Sequence, residues 1–73
     1  MENSNGLKNT LGGKVKYYRQ KINYTIERFS EETGISIEYI KKLEHGEREN
    51  ASFPVIERLA SVLDISINDL VDW

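Results

Sequence analysis

"TIERFSEETGISIEYIKKLEHG", residues 25–46, decides the fold. Two short amphipathic segments meet at Gly34. Phe29 lies five residues before that glycine, and Ile35, Ile40 and Leu43 lie one, six and nine after it. Such spacing puts Phe29 on the inner face of a helix running to about Thr33. It puts Ile40 and Leu43 on the inner face of a second helix that ends before Gly46. Thr25 and Ser36 are residue types that cap helix starts. Gly34 suits a left-handed turn position that a branched residue would resist. Ser30 is the small side chain that two closely crossing helices need. The same stretch carries five glutamates against three basic residues, and that acidity bears on what the pair of helices can bind.

Outward from this pair the helical period continues. Leu11, Val15, Tyr18 and Ile22 define a preceding helix, with Thr10 as its cap and Asn23 and Tyr24 as its break. Downstream, "GERENAS" (residues 46–52) is a polar loop. A further helix starts near Ser52, tolerates Pro54 in its first turn, and buries Ile56, Leu59, Ala60 and Leu63. Ser66 and Asp69 have the spacing of a capping box and open a short last helix holding Leu70. Strand-like alternation occurs only in "ISIEYI" and "DISIND", both too short for a sheet. The expectation is an all-α, compact five-helix domain over residues 10–73, preceded by a flexible polar arm over residues 1–9.

A chain of 73 residues holds one small core. It has no cysteine and one histidine, His45, which excludes disulfides and the usual zinc sites. Ser30 and the carboxylates form no nucleophile–base set, and Tyr17 and Tyr18 need no ligand, so no enzyme, metal or cofactor is expected. No small-molecule ligand is evident. No apolar run reaches the ~18 residues of a membrane span, and the N-terminus lacks a secretory apolar stretch. A soluble cytoplasmic protein is the expectation. The net charge of −2 hides a split: residues 1–24 balance at +4 and residues 25–73 at −6.

Two short helices on a glycine turn are the helix-turn-helix pattern. Here the chain resembles the Cro and phage-repressor type of helix-turn-helix regulators, the Xre class, over about residues 11–70. "LGGKVKYYRQKINYT" is similar to the first helix of that family and its link to the second. "FSEETGIS" and "IKKLEHGER" resemble the motif and its exit, and "IERLASVLDISINDL" the last two helices. The resemblance implies a five-helix repressor-like domain that binds double-stranded DNA, commonly as a two-fold dimer. Some positions depart from the pattern. Ile26 stands where glutamine is frequent, Ser30 where alanine is usual, and Asp64 where glycine is common. The loop after Gly46 is about one residue longer.

Helical geometry addresses the acidity. At ~100° per residue, Glu38, Lys41, Lys42 and His45 point away from Ile40 and Leu43, with Ile37 and Tyr39 on the flanks. Ile37, Glu38, Lys41 and Lys42 are therefore the candidate base readers in the major groove. The remaining glutamates of the motif are mostly on its first helix. Candidate phosphate contacts are Thr25 and the amide of Ile26 at one helix start, Ser36 at the next, and Arg48, Asn50 and Ser52 on the following loop. His45 is read as a charge partner of a helix end. Arg19 and Glu44, at the edges of their buried stripes, are expected to form a structural ion pair of a kind that the resemblance also implies. Val71 and Trp73 are the candidate dimer interface. The reading is a sequence-specific DNA-binding regulator, a homodimeric repressor. A second reading is a protein-interaction module or antirepressor that keeps the fold without specific DNA binding.

Overall fold

Helix boundaries follow local chemistry in the computed structural model, which describes residues 10–71. The arm over residues 1–9 and the terminal Trp73 lie outside the described residues. Five helices succeed one another: α1 (Leu11–Lys21), α2 (Ile26–Thr33), α3 (Ile37–Glu44), α4 (Phe53–Leu63) and α5 (Ile67–Leu70). Among the described residues there is no strand.

Each of the first three helices opens on a hydroxyl cap that satisfies one of its free amides. Thr10 Oγ1 accepts from the Gly13 amide at 2.9 Å. Thr25 Oγ1 accepts from Arg28 at 3.0 Å, and Ser36 Oγ from Tyr39 at 3.1 Å. At α5 the Asp69 carboxylate reaches back to accept from the Ser66 amide, 3.1 Å. Helix ends use left-handed residues. Gly34 (φ 76°) closes α2, and Asp64 (φ 59°) closes α4. Asn23 (φ 60°) turns the chain after α1.

The core is a single cluster. Val15 comes from α1, Phe29 from α2, and Ile40 and Leu43 from α3, while Ile56, Leu59, Ala60 and Leu63 come from α4 and Leu70 from α5. Ile35 joins it from the turn. Leu11, Tyr18, Ile22 and Ile26 pack against its rim. Two buried features are not apolar. Arg19 and Glu44 are 8% and 3% exposed, and they meet inside the domain.

Gly12 explains how α1 reaches the end of α3. A Cβ built there would collide with the Leu43 carbonyl, 2.6 Å from its carbon, and stand 3.2 Å from Glu44 Cα. Only a residue without a side chain lets the two backbones approach this closely.

Candidate nucleic-acid interface

The turn between α2 and α3 is tied at nearly every polar group. Gly34 donates its amide to Ser30 O at 2.8 Å. The Thr33 hydroxyl donates to Phe29 O at 2.8 Å and accepts from the Ile35 amide at 3.1 Å. The Ser30 hydroxyl donates to Ile35 O, so serine in place of alanine adds a bond across the turn. From α4, Arg58 Nη1 donates to Thr33 O at 3.2 Å. The angle between α2 and α3 is thus held by local bonds and by a cation from the neighbouring helix α4.

The far end of α3 is held by the buried pair. Arg19 Nε donates to Glu44 Oε2 at 2.7 Å and Arg19 Nη2 to Glu44 Oε1 at 2.9 Å. Its third donor, Nη1, reaches Tyr24 O at 2.7 Å. One guanidinium therefore joins α1, the link into α2 and the end of α3. This bidentate arrangement uses the fork geometry that lysine lacks.

With both ends fixed, α3 presents its outward face. Glu38, Lys41, Lys42 and His45 are exposed, and Ile37 is exposed on the flank. Lys42 Nζ sits 3.4 Å from Glu38 Oε2 in an i,i+4 pair. Both side chains are more than half exposed, so the pair is a weak, solvent-screened one. His45 caps the α3 C-terminus, donating its amide to Lys41 O at 2.9 Å.

The expected phosphate contacts separate into two groups. Thr25 is exposed at the start of α2, and the first amides of that helix point out of its end. The side chain of Ile26 packs on the core rim. Isoleucine here therefore serves packing, and only its amide faces outward. Ser36 opens α3 in the same way. Arg48, Asn50 and Ser52 are exposed on the loop beyond α3. Ser52 opens α4 without a side-chain cap bond. Val71 is half-buried and rests against the core.

Two arginine–tyrosine contacts at the site had no precursor in the sequence pattern. The Arg28 guanidinium lies 4.7 Å from the centre of the Tyr24 ring and donates to Glu32 at 3.1 Å. The Glu32 hydrogen bond, then the charge of the Tyr24 phenolate, hold Arg28 above its ordinary pKa. The Arg48 guanidinium lies 4.5 Å from the centre of the Tyr39 ring. Tyr24 precedes the cap of α2, so helical spacing gives no signal for its contact with Arg28. No local signal links Tyr39 to Arg48, which meet only because the chain reverses at Gly46 (φ 82°).

Two capped helices on a tied glycine turn, an exposed polar face on the second, and three supporting helices define a small helix-turn-helix domain. The helix-turn-helix family model matches residues 15–70. The chain belongs to that family, in its Xre or phage-repressor class. The HTH-type transcriptional regulator SinR of Bacillus subtilis (strain 168) is 29% identical over 62 residues, covering 85% of this chain and 56% of SinR. The regulator SlrR of the same organism is 27% identical over 62 residues, covering 85% of this chain and 41% of SlrR. The chain thus spans about half the length, or less, of these curated relatives. Among solved structures, SinR, described as the master regulator for biofilm formation, in complex with DNA matches with a TM-score of 0.84 at 28% identity. That match covers 86% of this chain and 100% of the SinR chain. The SinR–SinI protein complex matches with a TM-score of 0.82 at 28% identity, over 86% of this chain and 61% of that one. The family and these relatives are transcriptional regulators. Among the described residues no helix is long and apolar enough to cross a membrane.

Proposed function

We propose that this chain is a sequence-specific DNA-binding transcriptional regulator that lays α3 in the major groove and acts as a repressor. The observation that carries this reading is the match of 86% of the chain to SinR solved with DNA. It is supported by an α3 whose outward face holds Glu38, Lys41 and Lys42 in solvent. Ile37, Glu38, Lys41 and Lys42 take the base edges. The helix starts at Thr25, Ile26 and Ser36, with Arg48, Asn50 and Ser52, take the phosphates. No catalytic role is proposed for any residue.

The acidity of residues 25–73 does not oppose this reading, because charge acts locally at an interface. Glu27, Glu31 and Glu32 are exposed on α2, and Glu44 is buried and neutralised by Arg19. On the reading face Glu38 stands against two lysines and an exposed histidine. A homodimer completes the proposal: its two α3 helices would stand about 34 Å apart, one turn of DNA. Its interface would use the C-terminal segment containing Val71 and Trp73.

The test is a binding titration of the full chain on the DNA flanking its own gene and on a scrambled duplex, at several salt concentrations. Salt-sensitive binding with preference for the flank is the expected result. No binding to either duplex at low salt would overturn the reading in favour of a protein-interaction module.

A further inference from the structure

Two arginines rest on tyrosine rings beside the helix pair, and they differ in what remains free. Arg28, on Tyr24, has its Nε committed to Glu32. Arg48, on Tyr39, has no carboxylate partner among the described residues. The position of Arg48 is built by the backbone. After α3 the amides of Glu47 and Arg48 both donate to Lys42 O, at 2.9 and 3.1 Å. Gly46 supplies the left-handed residue of the reversal. The chain folds back along α3, and the guanidinium lands on a ring nine residues earlier.

Tyr39 is itself held. It is half-buried and packs against the core, and it lines an open groove together with Pro54 and Val55 of α4. A guanidinium held over an aromatic face by the ring quadrupole keeps its N–H groups available, because the ring accepts no in-plane hydrogen bond from them. Those donors suit the bidentate geometry of a phosphate. Part of the rotamer entropy that a long side chain loses on binding is then lost before DNA arrives.

We propose that Tyr39 is a positioning residue whose ring presents Arg48 to the DNA backbone, so that Arg48 is a pre-oriented phosphate contact while Arg28 is a neutralised surface group. This rests on the DNA reading above. It assigns Tyr39 to the placing of a neighbouring cation and not to a contact by its hydroxyl.

A phosphate contact is sequence-independent, so a mixed-sequence duplex at low salt is a sufficient probe. Tyr39→Leu removes the ring and should weaken binding about two- to five-fold. Tyr39→Phe keeps the ring, removes the hydroxyl and should bind as the parent does. Arg48→Ala should lower the salt slope by about 1 per protomer. In the Arg48→Ala background, Tyr39→Leu should have no further effect on binding. Equal losses from Tyr39→Leu in both backgrounds would show a merely structural role and overturn the proposal. So would a Tyr39→Phe loss matching that of Tyr39→Leu. A parent chain that fails to bind the duplex would overturn the DNA reading and this proposal with it. A parent that binds while the Tyr39 and Arg48 effects simply add overturns the positioning role alone.

Discussion

Gly12→Ala sets two physical effects against each other, and the structure decides between them. Helix propensity favours alanine over glycine by about 1 kcal/mol inside a helix, and Gly12 lies in the first turn of α1. Propensity alone therefore predicts a stabilised variant. The added Cβ, however, would stand 2.6 Å from the Leu43 carbonyl carbon, against the roughly 3.5 Å at which such atoms rest. The neighbours are backbone atoms of α3, which cannot rotate aside as a side chain can. The helices must part by about 1 Å or more. That loosens Val15 and Leu43 in the core and strains the bidentate Arg19–Glu44 bonds. Overpacking of this kind costs about 1–3 kcal/mol, occasionally more. We expect the upper part of that range, for a net loss of about 2 kcal/mol after the propensity gain. A chain of 73 residues has about 4–11 kcal/mol in total at ~0.05–0.15 per residue, so the loss is plain in urea unfolding. A Gly12→Ala variant with an unchanged or higher midpoint, at unchanged slope, would refute the close approach of α1 and α3.

Arg19→Ala should destabilise the domain by about 3 kcal/mol, because it leaves the Glu44 carboxylate buried without its partner; unfolding at parent-like urea would contradict it. Asp64→Gly should stabilise by roughly 0.5–1 kcal/mol, since Asp64 is an exposed residue at φ 59° where glycine meets no Cβ penalty. A lower melting temperature would show that aspartate serves this turn in some other way. Glu38→Gln should raise affinity for scrambled DNA and lessen discrimination at one base pair by roughly 1–3 kcal/mol. Lys42→Ala should weaken binding to the flanking duplex more than to the scrambled one, as loss of a base contact does. If Glu38→Gln changes neither affinity nor preference, Glu38 serves only its pair with Lys42.

What could be read from the residues was local. The caps at Thr10, Thr25 and Ser36 and the turn at Gly34 depend on a few neighbouring residues, and the helical period places Phe29, Ile40 and Leu43 without knowledge of their partners. Asp64 stood out only through the resemblance, as a departure from a common glycine, and the left-handed backbone found there gives the physical reason for that glycine. Contacts between distant segments were mostly not legible. Gly12 looks like a weak helix former until Leu43 is seen above it. Arg58 looks like a solvated cation until it meets Thr33 O. Tyr39 and Arg48 join only through the reversal after α3. The Arg19–Glu44 pair entered through stripe edges and resemblance, whereas the third Arg19 bond, to Tyr24 O, had no precursor in the pattern.

The central claim is that the outward face of α3 meets DNA. Amide chemical-shift mapping of the full chain, titrated with the duplex that flanks its gene, tests this most directly. The account predicts salt-sensitive shifts concentrated at Ile37, Glu38, Lys41 and Lys42, at the α2 start near Thr25 and Ile26, and at Arg48 and Asn50. Shifts confined to the acidic surface at Glu27, Glu31 and Glu32, with the outward face of α3 unmoved, would contradict it.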